Sequence, residues 1–366
     1  MEHTKKVYWL AWHMVLAGQA RRFWEIIDRF GDPDRAWNAP DEDFGVLPGM
    51  PAGHRNETLD RKRNTDLDRV AAFLDRGDKQ MSLLFYTDED YPAQLKNIYD
   101  PPPVLYTRGD RDSLREMAVA LVGSRRATPY GLSVTENLAR ELAAAGVGVV
   151  SGMARGIDTA AHRGALKGGG KTVAVLGCGL DVAYPRENAG LAKEIASNGA
   201  VISEFPPGSQ PEAWHFPVRN RIISGLSKIV VVVEATEKSG ALITANVALE
   251  QGRDVMAVPG QITAPNSRGT NNLIKQGAAV VLGAGDITAE LGMGVLFTPQ
   301  AVDNAGRLQM NDDETLLSRF IEYEPVAVEM LVQKTGLPAG RVLTALMYLE
   351  MKGLVRQMPG RLYVRT

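Results

Sequence analysis

Hydrophobic and polar positions fall into distinct textures along the chain. From Val7 to about Leu84, the stretches YWLAWHMVL, FWEIIDRF and LDRVAAFLDRG repeat apolar residues at three- and four-residue intervals, the spacing of amphipathic helices. GDPDRAW and LPGMPAG read as short breaks between them. An irregular connector follows, YTDEDYPAQLKNIYDPPPVLYTRGD, in which Pro101-Pro102-Pro103 forbids helix and central strand alike. From Met117 to about Leu282, the apolar runs AVALVG, VGVVSG, KTVAVLG, AVISEF, KIVVVVEA, DVMAVPG and AAVVL appear, most of them separated by helix-length segments such as SVTENLARELAAAG. Near-continuous Val/Ile/Leu runs are strands buried on both faces, so the pattern predicts a mostly parallel sheet covered by helices. That is an extended Rossmann-like, doubly wound α/β fold.

The tail has a third texture. After the loose stretch GMGVLFTPQAVDNAGRLQMND, the segments DETLLSRFIEYE, VAVEMLVQKTG and PAGRVLTALMYLEMKG read as three short helices. LVRQMPGRLYVRT reads as two strands joined at Pro359-Gly360. Three helices and a hairpin form the order of a winged helix, and a small helical interaction module is the other reading. The expected organisation is a helical domain over 1–84, the Rossmann-like domain over 85–292 with 85–116 as lead-in, a linker over 293–309 and the winged-helix-like domain over 310–366.

Composition narrows the class. With 366 residues, 45% hydrophobic and 23% charged, the chain is neither a disordered tail nor a coiled coil. Its net charge of −2 argues against a bulk-basic nucleic-acid binder. The charge is uneven, however: Met117 to Gly285 holds 16 Lys+Arg against 12 Asp+Glu, a balance of +4, while the flanks carry −4 and −2. The tail from Met310 is balanced, seven basic against seven acidic, which leaves it no strong electrostatic footprint for DNA. One cysteine, Cys178, makes no internal disulfide and points to a reducing, cytoplasmic setting. The apolar run near the start is too short and interrupted for a signal peptide or membrane span, so no membrane partner is expected.

In an open α/β sheet, ligands bind beyond the carboxyl ends of the strands, so the residues after each strand carry the candidate chemistry. The first strand gives Gly123, Ser124, Arg125 and Arg126: a tight turn, a hydroxyl and two guanidinium forks suited to phosphate. The second gives SGMARGID, with Arg155 beside Asp158, which is placed either to cap the next helix or to meet a ligand. His162 reads as a packed helix residue rather than a base. GCGLDVAYPREN follows the third strand and contains Arg186, but a full GxGxxG is missing, which argues against NAD. After the fourth come Trp214, Phe216, Arg219, Asn220 and Arg221, rings and guanidiniums as a single-stranded nucleic acid uses them. Ordinary packing is the competing reading for Trp214 and Phe216. Lys238, Ser239 and Gly240 open a helix whose free N–H groups make an anion seat, and NSRGTNN, with Asn271, opens another. There is no GxxxxGK[ST], no GxSxG, no metal-ligand spacing and no two-metal acidic cluster. Neither a cofactor nor a metal is expected.

These loops, in order, resemble the bacterial DNA-processing family called DprA or Smf. The carrying segments are VGSRRATPYG, SGMARGIDTAAHRGAL, GCGLDVAYPREN, ISEFPPG, FPVRNRIISGLS, EATEKSGALITANVALEQGRDVMAVPG and SRGTNNLIKQGA, from about Val122 to Ala278. The lead-in YPAQLKNIYDPPPVLYTRGD is also similar. The N-terminal helices resemble that family's sterile-alpha-motif-like or helix-hairpin-helix-like module, and the tail its winged helix. The resemblance implies a non-enzymatic protein of competence and DNA recombination. Such a protein binds single-stranded DNA in natural transformation, loads the recombinase RecA and forms homodimers through the Rossmann-like domain. Carried over by position, the family's DNA-contacting residues fall on Arg125, Phe216, Arg219 and Arg221, with Arg186 where lysine is common and Val218 where a basic residue is common. The alternative is a Rossmann-like enzyme acting on a nucleoside monophosphate, with Glu204 and Glu234 as its acids.

Overall fold

The computed structural model describes residues 2–46, 52–76, 81–293 and 310–365, positions 323 and 359 excepted. All of the expected linker 293–309 but its first residue, most of LPGMPAG and the hairpin residue Pro359 lie outside that set. The chain divides into two compact units: Met1–Arg126 with Thr135–Ala284, and Ala127–Val134 with Gly285–Thr366.

The larger unit opens with α1 (His3–Leu16), α2 (Ala20–Phe30), α3 (Pro33–Asn38), α4 (Ala52–Arg63) and α5 (Leu67–Arg76). Helix α3 occupies the stretch expected as a break. Pro33 sits in its first turn, where the missing N–H costs no hydrogen bond. Strands β1 (Ser82–Phe85) and β2 (Val104–Gly109) then flank the short helix α6 (Ala93–Lys96). The sequence gives this region no period because β2 starts directly after the proline triplet, whose irregular pattern masks the strand beside it.

From there strands and helices alternate as the apolar runs predict. Strands β3 (Ala118–Val122), β4 (Gly148–Ser151), β5 (Thr172–Leu176), β6 (Ala200–Ser203), β7 (Ile229–Val232), β8 (Asp254–Ala257) and β9 (Ala279–Val280) are joined by α7 (Pro129–Ala144), α8 (Ile157–Lys167), α9 (Ala189–Asn198), α10 (His215–Gly225), α11 (Gly240–Glu250) and α12 (Arg268–Lys275). The sheet order is β1-β2-β6-β5-β4-β3-β7-β8-β9, with every pairing parallel except those of β2. Every residue of β3, β4, β5, β6 and β7 is buried. This is the burial that unbroken Val/Ile/Leu runs require when both faces are covered.

Each face of the sheet has its own core. On one, Ala120, Val122, Val175, Ile202 and Val232 pack with Ile222 and Ile223 of α10, Leu226 just after it, and Ala241, Ala245 and Ala248 of α11. On the other, Tyr106, Ala174, Leu176 and Val201 pack with Trp9, Leu10, Trp12 and Leu16 of α1. Polar edges of the indoles find carbonyls in the connector: Trp9 Nε1 donates to Pro103 O at 2.9 Å and Trp24 Nε1 to Pro101 O at 2.8 Å. The rigid proline triplet is thereby a fixed acceptor rail for the N-terminal helices.

The smaller unit ends the chain with α14 (Asp312–Ser318), β10 (Val326–Ala327), α15 (Val328–Thr335), α16 (Ala339–Met351), β11 (Val355–Met358) and β12 (Leu362–Arg365), after α13 (Ala284–Glu290). Asn311 and Glu314 close a capping box over α14. Leu317, Leu331, Val342, Leu346, Leu349 and Tyr363 form its core. The predicted hairpin is present, and β10 adds a third strand beside β12. Two residues are too short for alternation to register in sequence.

Candidate functional site

The order of the strands places the site. The chain runs from β3 through β4 and β5 to β6, then returns to the other flank of β3 with β7. The carboxyl ends of β3 and β7 therefore part where the winding reverses, the position where doubly wound sheets hold ligands. A cavity of about 590 Å³ opens there, lined from the β3 loop by Gly123 to Arg126, from the β4 loop by Ala154, from α8 by Asp158, from α10 by Phe216, Arg219 and Asn220, and from the β7 loop and α11 by Thr236, Ser239 and Gly240.

Its walls are fixed by hydrogen bonds of backbone and side chain. Ser124 N–H donates to Glu234 O at 2.7 Å, tying the β3 and β7 loops together, and Ser124 Oγ accepts the Arg126 N–H at 3.1 Å. Asn266 Nδ2 donates to Arg126 O at 2.9 Å and to Glu234 Oε2 at 3.3 Å. Ser239 caps α11 by accepting the Ala241 N–H at 3.3 Å, so this helix presents the positive end of its dipole to the cavity.

The charged groups differ in their freedom. Arg125 and Arg126 are exposed, and the Arg125 guanidinium lies over the Phe216 ring at 4.7 Å from its centroid. Arg219 is buried at 4% exposure. Its Nη1 donates to Gly152 O and Val175 O, at the ends of β4 and β5, and its Nε donates to Asn220 Oδ1 at 3.2 Å. Gly152 makes room for it, since a Cβ there would fall 2.3 Å from Nη1. Burial lowers the Arg219 pKa to about 10, which leaves it charged at neutral pH. Burial raises the carboxyl of Asp158 against the pull of Arg219, while Asp158 Oδ2 accepts the Ala154 N–H at 3.2 Å. Asp158 is the second residue of α8 rather than its cap, which is Gly156; its carboxylate closes the loop before the helix and lines the cavity.

Of the residues expected from sequence, Gly123, Ser124, Arg125, Arg126, Phe216, Arg219, Asn220, Ser239 and Gly240 come together around this cavity. Five do not line it. Arg155 is exposed and paired with Glu187. Arg186 is exposed in the turn Arg186–Asn188. Lys238 is exposed one residue before the α11 cap. Asn271 holds the loop after β8, accepting from Gly260 N–H at 3.2 Å and donating to Gly260 O at 3.0 Å. Arg221 points away, buried against Glu204, to which Nη2 donates at 2.6 Å, and Asp100, 3.1 Å from its Nε.

Helix period separates the RNR arginines: two residues advance about 200° around α10, so Arg219 and Arg221 lie on opposite sides. Glu204, fully buried in this pair, has its pKa pushed up to about 7 by burial against the pull of Arg221. Asn266 and Thr236 line the cavity without having been expected, because amides and hydroxyls in loops carry no distinguishing pattern. His162 is wholly buried, with Nδ1 2.7 Å from Thr172 Oγ1. Among the described residues no group of three or more His, Cys, Asp or Glu is arranged to hold a metal ion, and no helix is long and apolar enough to cross a membrane.

A doubly wound sheet whose switch point opens into an arginine-rimmed, helix-capped cavity defines a Rossmann-like protein equipped to hold an anionic ligand. The family model described as DNA recombination-mediator protein A matches residues 82–292, and the DprA winged helix domain matches residues 302–361. The Protein Smf of Synechocystis sp. is 36% identical over 400 residues, covering 100% of both chains. The DNA processing protein DprA of Bacillus subtilis is 45% identical over 223 residues, which is 61% of this chain and 74% of its own. The crystal structure of DprA from Streptococcus pneumoniae matches with a TM-score of 0.68 at 35% identity, over 79% of this chain and 98% of that one. DNA processing protein A from Helicobacter pylori, whose structure was described for its single-stranded DNA binding mode, matches with a TM-score of 0.54 at 35% identity, over 58% and 96%. The chain belongs to the DNA recombination-mediator protein A family, also called DprA or Smf.

Proposed function

We propose that this protein binds single-stranded DNA without regard to sequence at the cavity between β3 and β7, and hands the strand to the recombinase RecA in natural transformation. The observation that carries the reading is Arg125 poised over Phe216 at the rim of a cavity that ends on the α11 N-terminus. A base stacking on Phe216 takes the place of the guanidinium, which then turns to the adjoining phosphate. Stacking of this kind is worth roughly 1–3 kcal/mol per base and accepts any base, since each has a π-face. Arg126, and more distantly Lys238, add phosphate contacts, while Arg219 holds the floor charged and rigid. The single-stranded DNA binding described for the Helicobacter pylori relative supports the same reading.

The protein acts as a cytoplasmic homodimer through its Rossmann-like domain, without catalysis of its own. Two such edges on one strand raise avidity without new contacts. Glu204 is sealed in its pair with Arg221, and Glu234 accepts from Asn266, so the two acids of the nucleoside-monophosphate reading are engaged in holding the fold. A fluorescence titration with oligo-dT over a salt series tests the proposal. Affinity should fall steeply as salt rises, and Arg125→Ala should weaken it; equal affinity in that variant overturns the site. Free base released from a nucleoside monophosphate panel overturns the non-catalytic role.

A further inference from the structure

Helix α10 has two working sides. Phe216, Arg219 and Asn220 face the cavity, while Trp214, Val218 and Arg221, spaced at i, i+4 and i+7, line a second groove of about 860 Å³. Pro217 belongs to both linings, so the two spaces meet across the first turn of the helix. The far wall of the groove comes from the start of α2 and from Tyr99 beside the proline triplet.

This groove carries aromatic surface that the fold does not use. Tyr99 is 82% exposed and Trp214 45% exposed, although both are large rings of the kind usually covered. Trp214 is nevertheless held rigidly. Its Nε1 donates to Glu212 Oε2 at 2.6 Å, and its ring stands edge-on to His215, which in turn stacks on Phe205 at 3.9 Å. Gly18 seats the opposite wall on that same stack: its φ is +83°, and a Cβ would strike Phe205 Cε1 at 2.4 Å. The Arg21 guanidinium lies 5.9 Å from the centre of the Tyr99 ring. Arg221 lines the floor, nearly sealed, and its Nη1 has no hydrogen-bond partner. Between groove and cavity lies the first turn of α10, where the His215 N–H donates to Glu212 O and Pro217 has no N–H.

We infer that the groove is a second stacking station for the same DNA strand, which leaves Phe216, crosses α10 at Pro217, and rests bases on Trp214 and Tyr99. The inference builds on the proposed single-stranded DNA binding at the cavity. The occupant is a flexible polynucleotide because rings with guanidiniums beside them lie on both sides of Pro217, the repeat that a strand of stackable bases fits. Charge contributes little here. Arg21 and Arg22 are both paired with Glu25, and Asp100 with Arg221, so the station works by stacking and shows weak salt dependence.

Anisotropy of the full chain with labelled oligo-dT of about 4 and about 12 nucleotides, lengths at the two ends of common single-strand site sizes, separates the stations. Tyr99→Ala and Trp214→Ala should each weaken the longer oligonucleotide about fivefold to tenfold, the lower end of what one lost base stack costs. The shorter one, held in the cavity, should bind as before, and Trp214→Phe should restore the longer. Tyr99→Ala removes a ring already in solvent, so its result stands even if Trp214→Ala unsettles the fold. Wild-type affinity of the Tyr99→Ala, Trp214→Ala double variant for the longer oligonucleotide overturns the groove and leaves the cavity reading intact. Equal weakening of both lengths also overturns it, because the rings then act on the cavity itself. If the unaltered protein binds neither length, the cavity reading falls and takes the groove with it.

Discussion

The rim of the cavity and the layer of charge behind it use the same residue type for opposite purposes. Arg125 and Arg126 stand exposed on a loop, and their charge is available to a ligand. Arg219 and Arg221 are 4% and 6% exposed, and their donors go to strand-end carbonyls, Glu204 and Asp100. Water screens a charge at the rim, so each rim arginine adds a modest, salt-sensitive contact. A charge in the interior has lost its water and is tolerated only because its partners replace it. The inner layer therefore governs whether the edge of the sheet holds its shape, and on the proposed reading the rim governs what the edge binds. Arginine suits both roles because its guanidinium stays charged through the downward pull of burial on Arg219.

Four measurements press on this division, the largest effect first. Arg221→Ala should lower stability by about 3–5 kcal/mol, the usual consequence of breaking a buried ion pair from one side, as read from urea midpoints. Adding Glu204→Gln should recover part of the loss by removing the carboxylate left without a partner. An unchanged midpoint in Arg221→Ala would place this arginine with the rim.

The second measurement concerns pH. Burial lowers the pKa of His162 to about 3 from its ordinary 6.5, so the native state holds the ring neutral where the unfolded chain protonates it. For a base depressed in this way, its contribution to stability is complete above pH 6.5 and is lost as the pH falls toward 3. The slope should be about 1.4 kcal/mol per pH unit for this one group. His162→Asn should flatten the profile between pH 6.5 and 5 by that amount, as followed by urea unfolding at stepped pH.

Binding changes are smaller and should leave stability alone. Arg125→Ala should reduce the slope of log affinity against log salt for oligo-dT by about 0.7, the value of one phosphate contact on a single strand, with the thermal midpoint unchanged. Lys238→Ala should act in the same sense but less, since Lys238 is exposed beside the cavity without lining it. A drop in midpoint for either variant would blur the line between rim and interior.

Much of this protein is determined by its sequence alone. The unbroken Val/Ile/Leu runs required strands covered on both faces, as β3 to β7 are. The last run, AAVVL, instead forms the two-residue edge strand β9, whose residues are exposed. The loops after β3 and β7 were legible as walls of one cavity, because glycine and serine beside a basic residue after a buried strand mark a turn at the sheet's carboxyl edge. The direction of side chains was not legible. RNR reads as one basic motif, yet the helix period sends Arg219 to the cavity floor and Arg221 to a buried pair with Glu204, whose sequence position is 17 residues away. Strand β2 was hidden beside the proline triplet, and its antiparallel place between β1 and β6 follows from pairing that no local pattern encodes.

Only the tertiary structure decided where the cavity lies, because the switch point between β3 and β7 exists only once the sheet is wound. It alone also decided that α10 divides two spaces rather than bordering one. Local composition sets which groups prefer water and which do not. Which buried charge finds which partner depends on distances that arise only when remote segments pack together.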